Sequence, residues 1–152
     1  MDYLIITEGG GMQCNSATDY TLALSHVGPE GWNRVQLTRD LAAWVNDCGH
    51  VLPDKYRRNP IGSLILLALG APRMPYAGPI VITGWDGTAT ARGEVEVVGL
   101  TPLQLGMLYA IDDMITDARN GECENVVEGL VSDVDDLARM IVESPAPKMT
   151  FR

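Results

Sequence analysis

Hydrophobic and polar positions divide this chain into alternating, helical and continuous apolar stretches. Tyr3-Leu4-Ile5-Ile6-Thr7 is a short apolar run, and the break at Glu8-Gly9-Gly10-Gly11 predicts a strand over residues 3–7 followed by a turn. Residues 19–27 alternate only in part, fit either a strand or a short helix, and lead to a turn at Gly28-Pro29-Glu30-Gly31. Residues 32–37 read as extended. Thr38 then stands as an N-cap, and Leu41, Ala42, Trp44 and Val45 supply one apolar face of a predicted helix over residues 39–48. Gly49 ends that helix, and residues 50–58 form a polar loop.

The longest apolar stretch lies between Asn59 and Trp85. Asn59 suits an N-cap, and Pro60 suits the first helical position, where a missing N–H costs nothing. Leu64 to Leu69 are apolar on every side, which predicts a buried helix over residues 60–69, with Leu66 packed on Ile82. Gly70 stops it, and Pro72, Pro75 and Pro79 forbid its continuation. A core strand follows over residues 79–85, then a turn at Asp86-Gly87, with Thr88 to Ala91 placed to pair back on that strand. Glu94-Val95-Glu96-Val97-Val98 alternates like a half-buried strand.

The rest of the pattern is helical. Thr101 and Pro102 open a helix over residues 102–119, with Leu103, Met107, Ile111, Met114 and Ala118 on an apolar face and Asp112, Asp113, Thr116 and Asp117 opposite. A last helix is predicted over residues 125–143, its apolar positions Val127, Leu130, Val134, Leu137 and Ile141, its outer face carrying Glu128, Asp135 and Asp136. Residues 144–152 read as a disordered tail. No internal repeat is visible. The expectation is one α+β domain over residues 1–143. It has a strand-rich core (1–99) with a small, mostly antiparallel sheet, and a helical part (100–143). Four helices pack on the sheet, the last two acidic.

Composition refines this picture. With 152 residues and 46% hydrophobic content, the chain can bury a core without disulfide or metal. Cys14, Cys48 and Cys123 are odd in number and far apart, as expected of free thiols in a reducing cytoplasm. No signal-peptide pattern and no apolar run of about 20 residues is present, so a cytoplasmic protein without a membrane span is expected. The net charge of −9 is uneven: residues 94–143 hold 12 acids against Arg119 and Arg139. Such acidity disfavours direct nucleic-acid binding, which rests on Lys and Arg.

Candidate chemistry is sparse. The Gly9–Gly11 run lacks G-x-G-x-x-G spacing and a helix opening behind it, so a turn outweighs a phosphate loop. Asp47-Cys48-Gly49-His50 places a thiol near an imidazole, but neighbours around a helix-terminating glycine rarely face one another, and a helix end with Cys48 as a small hydrophobe outweighs a nucleophilic pair. Asn46 and Asp47 are expected to hydrogen-bond the turn that ends the helix. His26 and His50 form no zinc pattern with the cysteines. Lys55-Tyr56-Arg57-Arg58 is a basic loop best read as solvated. No pattern requires a cofactor, a metal or a catalytic group. Asp112, Asp113, Asp117, Asp135 and Asp136 read first as a solvated face and, as a function, as a surface for a basic protein partner.

The pieces W-V-N-D-C-G (Trp44 to Gly49), N-P-I-G-S-L (Asn59 to Leu64) and G-P-I-V-I-T-G (Gly78 to Gly84), followed by L-T-P-L-Q from Leu100, have a familiar order. Over about residues 1–115 the chain resembles a family of small proteins of unknown function common in bacteriophages of actinobacteria and other Gram-positive hosts. The resemblance implies a phage accessory protein inside the infected bacterium and transfers no catalytic residue. Three functions follow as expectations: a non-enzymatic module binding a host or phage protein, as a monomer or a homodimer; an acidic DNA mimic that blocks a nucleic-acid-binding host factor; or a small enzyme or nucleotide-binding module using the Gly9–Gly11 loop.

Overall fold

The computed structural model describes residues 1–49 and 51–120, with the side chains of the last helix described as far as Asp117. Nine elements follow in order: β1 (Asp2–Ile6), β2 (Met12–Ser16), α1 (Tyr20–Leu24), β3 (Trp32–Gln36), β4 (Leu41–Asn46), α2 (Pro60–Ala68), β5 (Ile80–Trp85), β6 (Val97–Val98) and α3 (Pro102–Asn120). The six strands form one antiparallel sheet in the order β2-β1-β5-β4-β3, with β6 also paired to β5.

β5 lies at the centre. Its Ile80, Val81 and Ile82 face Ile6, Ile5 and Leu4 of β1, and Val81 to Gly84 face Trp44 to Leu41 of β4. Side chains alternate across the sheet. Leu4, Ile6, Leu41, Ala43, Val45, Ile80 and Ile82 join one core under α2 and α3. Tyr3, Ile5, Ala42, Trp44 and Val81 join a second core with Ala23, Leu24 and Val27 from α1 and the 3-10 turn Ser25–Val27. Both faces are covered at the centre, so β4 is buried at all six positions. Gly84 lets β6 pass close by, since a Cβ there would meet the Gly99 carbonyl oxygen at 2.6 Å.

Asn59 fixes the start of α2. Its Oδ1 accepts from Gly62 N–H at 2.9 Å, as expected of a cap, and its Nδ2 donates to the Ile6 and Gly78 carbonyls, each at 3.0 Å. The helix is buried from Ile61 to Leu66, and both Leu66 and Ile82 are fully buried in the same core.

The expected α+β architecture, with a small sheet and four packed helices, is corrected: the described residues make a six-stranded antiparallel sheet with three α-helices. The helix expected over residues 39–48 is strand β4. Its continuous apolar run is that of a strand buried on both faces, a pattern that also fills one side of a helix. Thr38 sits in the β3–β4 hairpin turn, where Leu41 N–H donates to its carbonyl at 3.4 Å, and is no helix cap. β2 was absent from the pattern because an exposed edge strand needs no apolar alternation. Residues 19–27 resolve into α1 and a 3-10 turn, with Asp19 Oδ1 accepting from Thr21 N–H at 2.9 Å. Thr88 to Ala91 do not pair back on β5; Ala89–Arg92 is a 3-10 turn held by Arg92 to Asp86 (2.6 Å) and Glu94 (3.1 Å). Only Val97–Val98 of the strand expected over 94–98 pairs. The helix expected over 125–143 and the tail 144–152 lie outside the described residues.

Candidate interaction surface

α3 opens on a reciprocal cap. Thr101 Oγ1 accepts from Gln104 N–H at 3.1 Å, and Gln104 Oε1 accepts from Thr101 N–H at 2.9 Å. Gln104 Nε2 also reaches the Asp40 carbonyl at 3.2 Å, tying the first turn of α3 to the β3–β4 hairpin. Leu108 and Ile115 are fully buried against the sheet and α2, with Leu105 and Ile111 packed beside them.

The apolar arc of α3 is wider than the part that the body covers. Leu103 is 84% exposed, Met107 and Met114 are each 38% exposed, and Ala110 lies exposed between them. The apolar face expected from the sequence therefore divides: Ile111 is half-buried, while Leu103, Met107 and Met114 form an outward stripe. The helix is turned to bring Leu108 and Ile115 inward, because they fit the core beside α2. A groove of about 410 Å³ runs beside the stripe, lined by Thr38, Asp40, Leu41, Leu103, Gln104 and Met107. It adjoins an open cleft of about 680 Å³ that includes Arg39, Trp85, Asp86 and Thr88.

The sequence-predicted acidic residues are only partly assembled. Asp113 is exposed; Asp112 and Asp117 are half-buried. Burial, and then the neighbouring Asp113 carboxylate, raise the pKa of Asp112 above its ordinary value. Asp135 and Asp136 lie outside the described residues.

The other candidates serve the fold. Gly9–Gly11 belongs to the β1–β2 hairpin turn, where Gly10 N–H donates to the Thr7 carbonyl at 2.9 Å and Gly11 N–H to Thr7 Oγ1 at 3.0 Å. Two of its three amides are therefore engaged, and a strand, not a helix, follows. Asn46 shapes the turn after β4: its Oδ1 accepts from Cys48 N–H at 2.7 Å and its Nδ2 donates to the Val27 carbonyl at 2.7 Å. Asp47 contributes its backbone N–H, to the Gly31 carbonyl at 3.1 Å. His50 is outside the described residues, and His26 meets the Tyr3 hydroxyl at 3.0 Å. Among the described residues no three His, Cys, Asp or Glu converge as a metal site, and no helix is long and apolar enough to cross a membrane.

Sequence reasoning missed one polar cluster. Glu30 receives Lys55 Nζ at 2.7 Å, the Tyr56 hydroxyl, and Asn46 Nδ2 at 3.2 Å. The Lys55 ammonium, then the Tyr56 hydroxyl, lower the Glu30 pKa from 4.5 to about 2. Tyr56 is buried, and Gly28 is packed so closely that a Cβ there would collide with the Tyr56 hydroxyl. The loop is thus tied to two acids, Lys55 through its side chain to Glu30 and Arg57 through its backbone N–H to Glu8 at 2.6 Å. The only sequence signal was the glycine-proline turn holding Glu30, which says nothing about a partner across the chain.

No known protein family, curated protein or solved structure matches this chain.

Proposed function

We propose that this chain is a non-enzymatic protein–protein interaction module, a phage accessory protein acting on a host or phage protein in the bacterial cytoplasm. The phage setting rests on the motif order over residues 1–115. The observation that carries the interaction reading is the outward stripe of α3. Contiguous exposed apolar surface marks an interaction site more often than scattered apolar residues do. The polar clusters, by contrast, bond internally. The DNA-mimic reading needs rows of exposed carboxylates, and of the three described acids of α3 only Asp113 is exposed, Asp112 and Asp117 being half-buried.

The test is affinity capture from infected and uninfected cells with the full chain as bait, beside a bait carrying Leu103→Gln and Met114→Gln. A specific protein retained by the native bait and lost from the variant is the expected result. A further bait replaces Asp112, Asp113, Asp117, Asp135 and Asp136 with Asn or Ser, and it should retain less at low salt, where exposed charges attract most strongly. If the native bait retains nothing above background, the interaction reading is wrong.

A further inference from the structure

We propose, building on the interaction reading, that the α3 stripe and its groove receive a basic amphipathic helix of another protein. Leu103, Met107, Ala110 and Met114 stand at i, i+4, i+7 and i+11, the spacing of a coiled-coil seam. At 1.5 Å per residue the stripe is about 16 Å long, enough for about three turns of a partner helix. Helix-in-groove recognition uses such anchors. Methionine suits the role because its unbranched thioether adapts to the side chains that it meets.

The charge around the stripe selects the partner. On one side lies the body of the protein, with Asp40 in the groove; on the other, Asp113 and Asp117 follow the stripe along the same helix. Arg39 lines the adjoining cleft and not the groove. A docked helix with Lys or Arg flanking its apolar seam meets carboxylates, whereas one flanked by Glu meets like charge. Complementary flanks decide the choice of partner even where each exposed pair contributes little.

The probes are labelled amphipathic peptides of about eighteen residues, long enough to cover the stripe. They share a Leu/Ala seam and differ in having Lys or Glu flanks. Fluorescence anisotropy against the full chain should show the Lys peptide binding about tenfold or more tighter than the Glu peptide at low salt. Leu103→Ser and Met107→Ser should each weaken it about tenfold. Asp113→Asn with Asp117→Asn should weaken it severalfold and flatten its salt dependence. Leu103 is so exposed that its replacement leaves the fold intact, as near-UV circular dichroism would check. Equal affinity for both peptides, or Lys-peptide binding indifferent to Leu103→Ser, overturns the proposal. A dimer in sedimentation that Met107→Glu dissociates overturns it in favour of a second copy. Binding that appears only after Val134→Asp and Leu137→Asp overturns it in favour of the chain's own C-terminal segment. Peptide failure with cellular capture intact sinks the helix partner alone; loss of both sinks the interaction reading too.

Discussion

A single buried side chain, Asn59, joins three parts of the structure that are distant in sequence. One amide caps α2 and satisfies a carbonyl at the end of β1 and another just before β5. Losing a cap costs about 0.5–2 kcal/mol, and each buried carbonyl left without a donor about 1–3 kcal/mol. Asn59→Ala should therefore destabilise the chain by about 3 kcal/mol or more, measured as urea unfolding free energy. Asn59→Asp keeps the cap acceptor but turns a carboxylate toward two carbonyls. Near-native stability in the Asp variant would show that the cap alone matters. Glu30 has a different signature. Its pKa falls from 4.5 in its ordinary state to about 2 when folded, through Lys55 first and Tyr56 second. The stabilisation is present above the ordinary value and is lost as pH falls toward the folded one. Glu30→Gln should make the decline of the urea midpoint between those values shallower. It should not abolish it, because Asp86, hydrogen-bonded by Thr88 and Arg92, is also lowered to about 2.

At the scale of elements, α2 was the most legible and β4 the least. α2 had a cap, a proline at its first turn and glycine after it, and such local signals survive any tertiary context. β4 had only an apolar run, and six buried positions in a row do not reveal a period. For α3 the start could be read but not the rotation. Which part of a wide apolar arc turns inward depends on the surface of α2 and the sheet, and no local pattern encodes that. Substitutions on α2 and on α3 separate these levels. Gly62→Ala should gain about 1 kcal/mol of helix propensity. A Cβ there would, however, meet Ile80 Cδ1 at 2.6 Å and Asn59 Oδ1 at 2.8 Å, so the variant should melt lower than the native chain. A higher melting temperature would mean that α2 can shift at no cost. On α3, Leu108→Ala and Ile115→Ala should each cost about 2–5 kcal/mol, while Leu103→Ala should stay within about 0.5 kcal/mol. Equal losses at Leu103 and Leu108 in unfolding experiments would refute the observed rotation.

For the whole molecule, the candidate surface was legible as residue types and not as a place. The sequence pointed to the acids, and the structure shows the apolar residues beside them as the exposed feature. The sheet order was not legible either, because nothing local records that β5 lies between β1 and β4. That order bears on how the chain is made. Leu4 must wait for Ile82, roughly eighty residues later, and closing so long a loop is entropically slow. During synthesis β1 and β2 emerge first and can pair only with each other. One edge of β1, with Leu4 and Ile6, then stays open to other chains or to chaperones until β5 leaves the ribosome. A nascent chain stalled before Ile80 should be cut readily within β1 and β2 by a protease. One released past Val98 should resist, as the central strand closes the sheet.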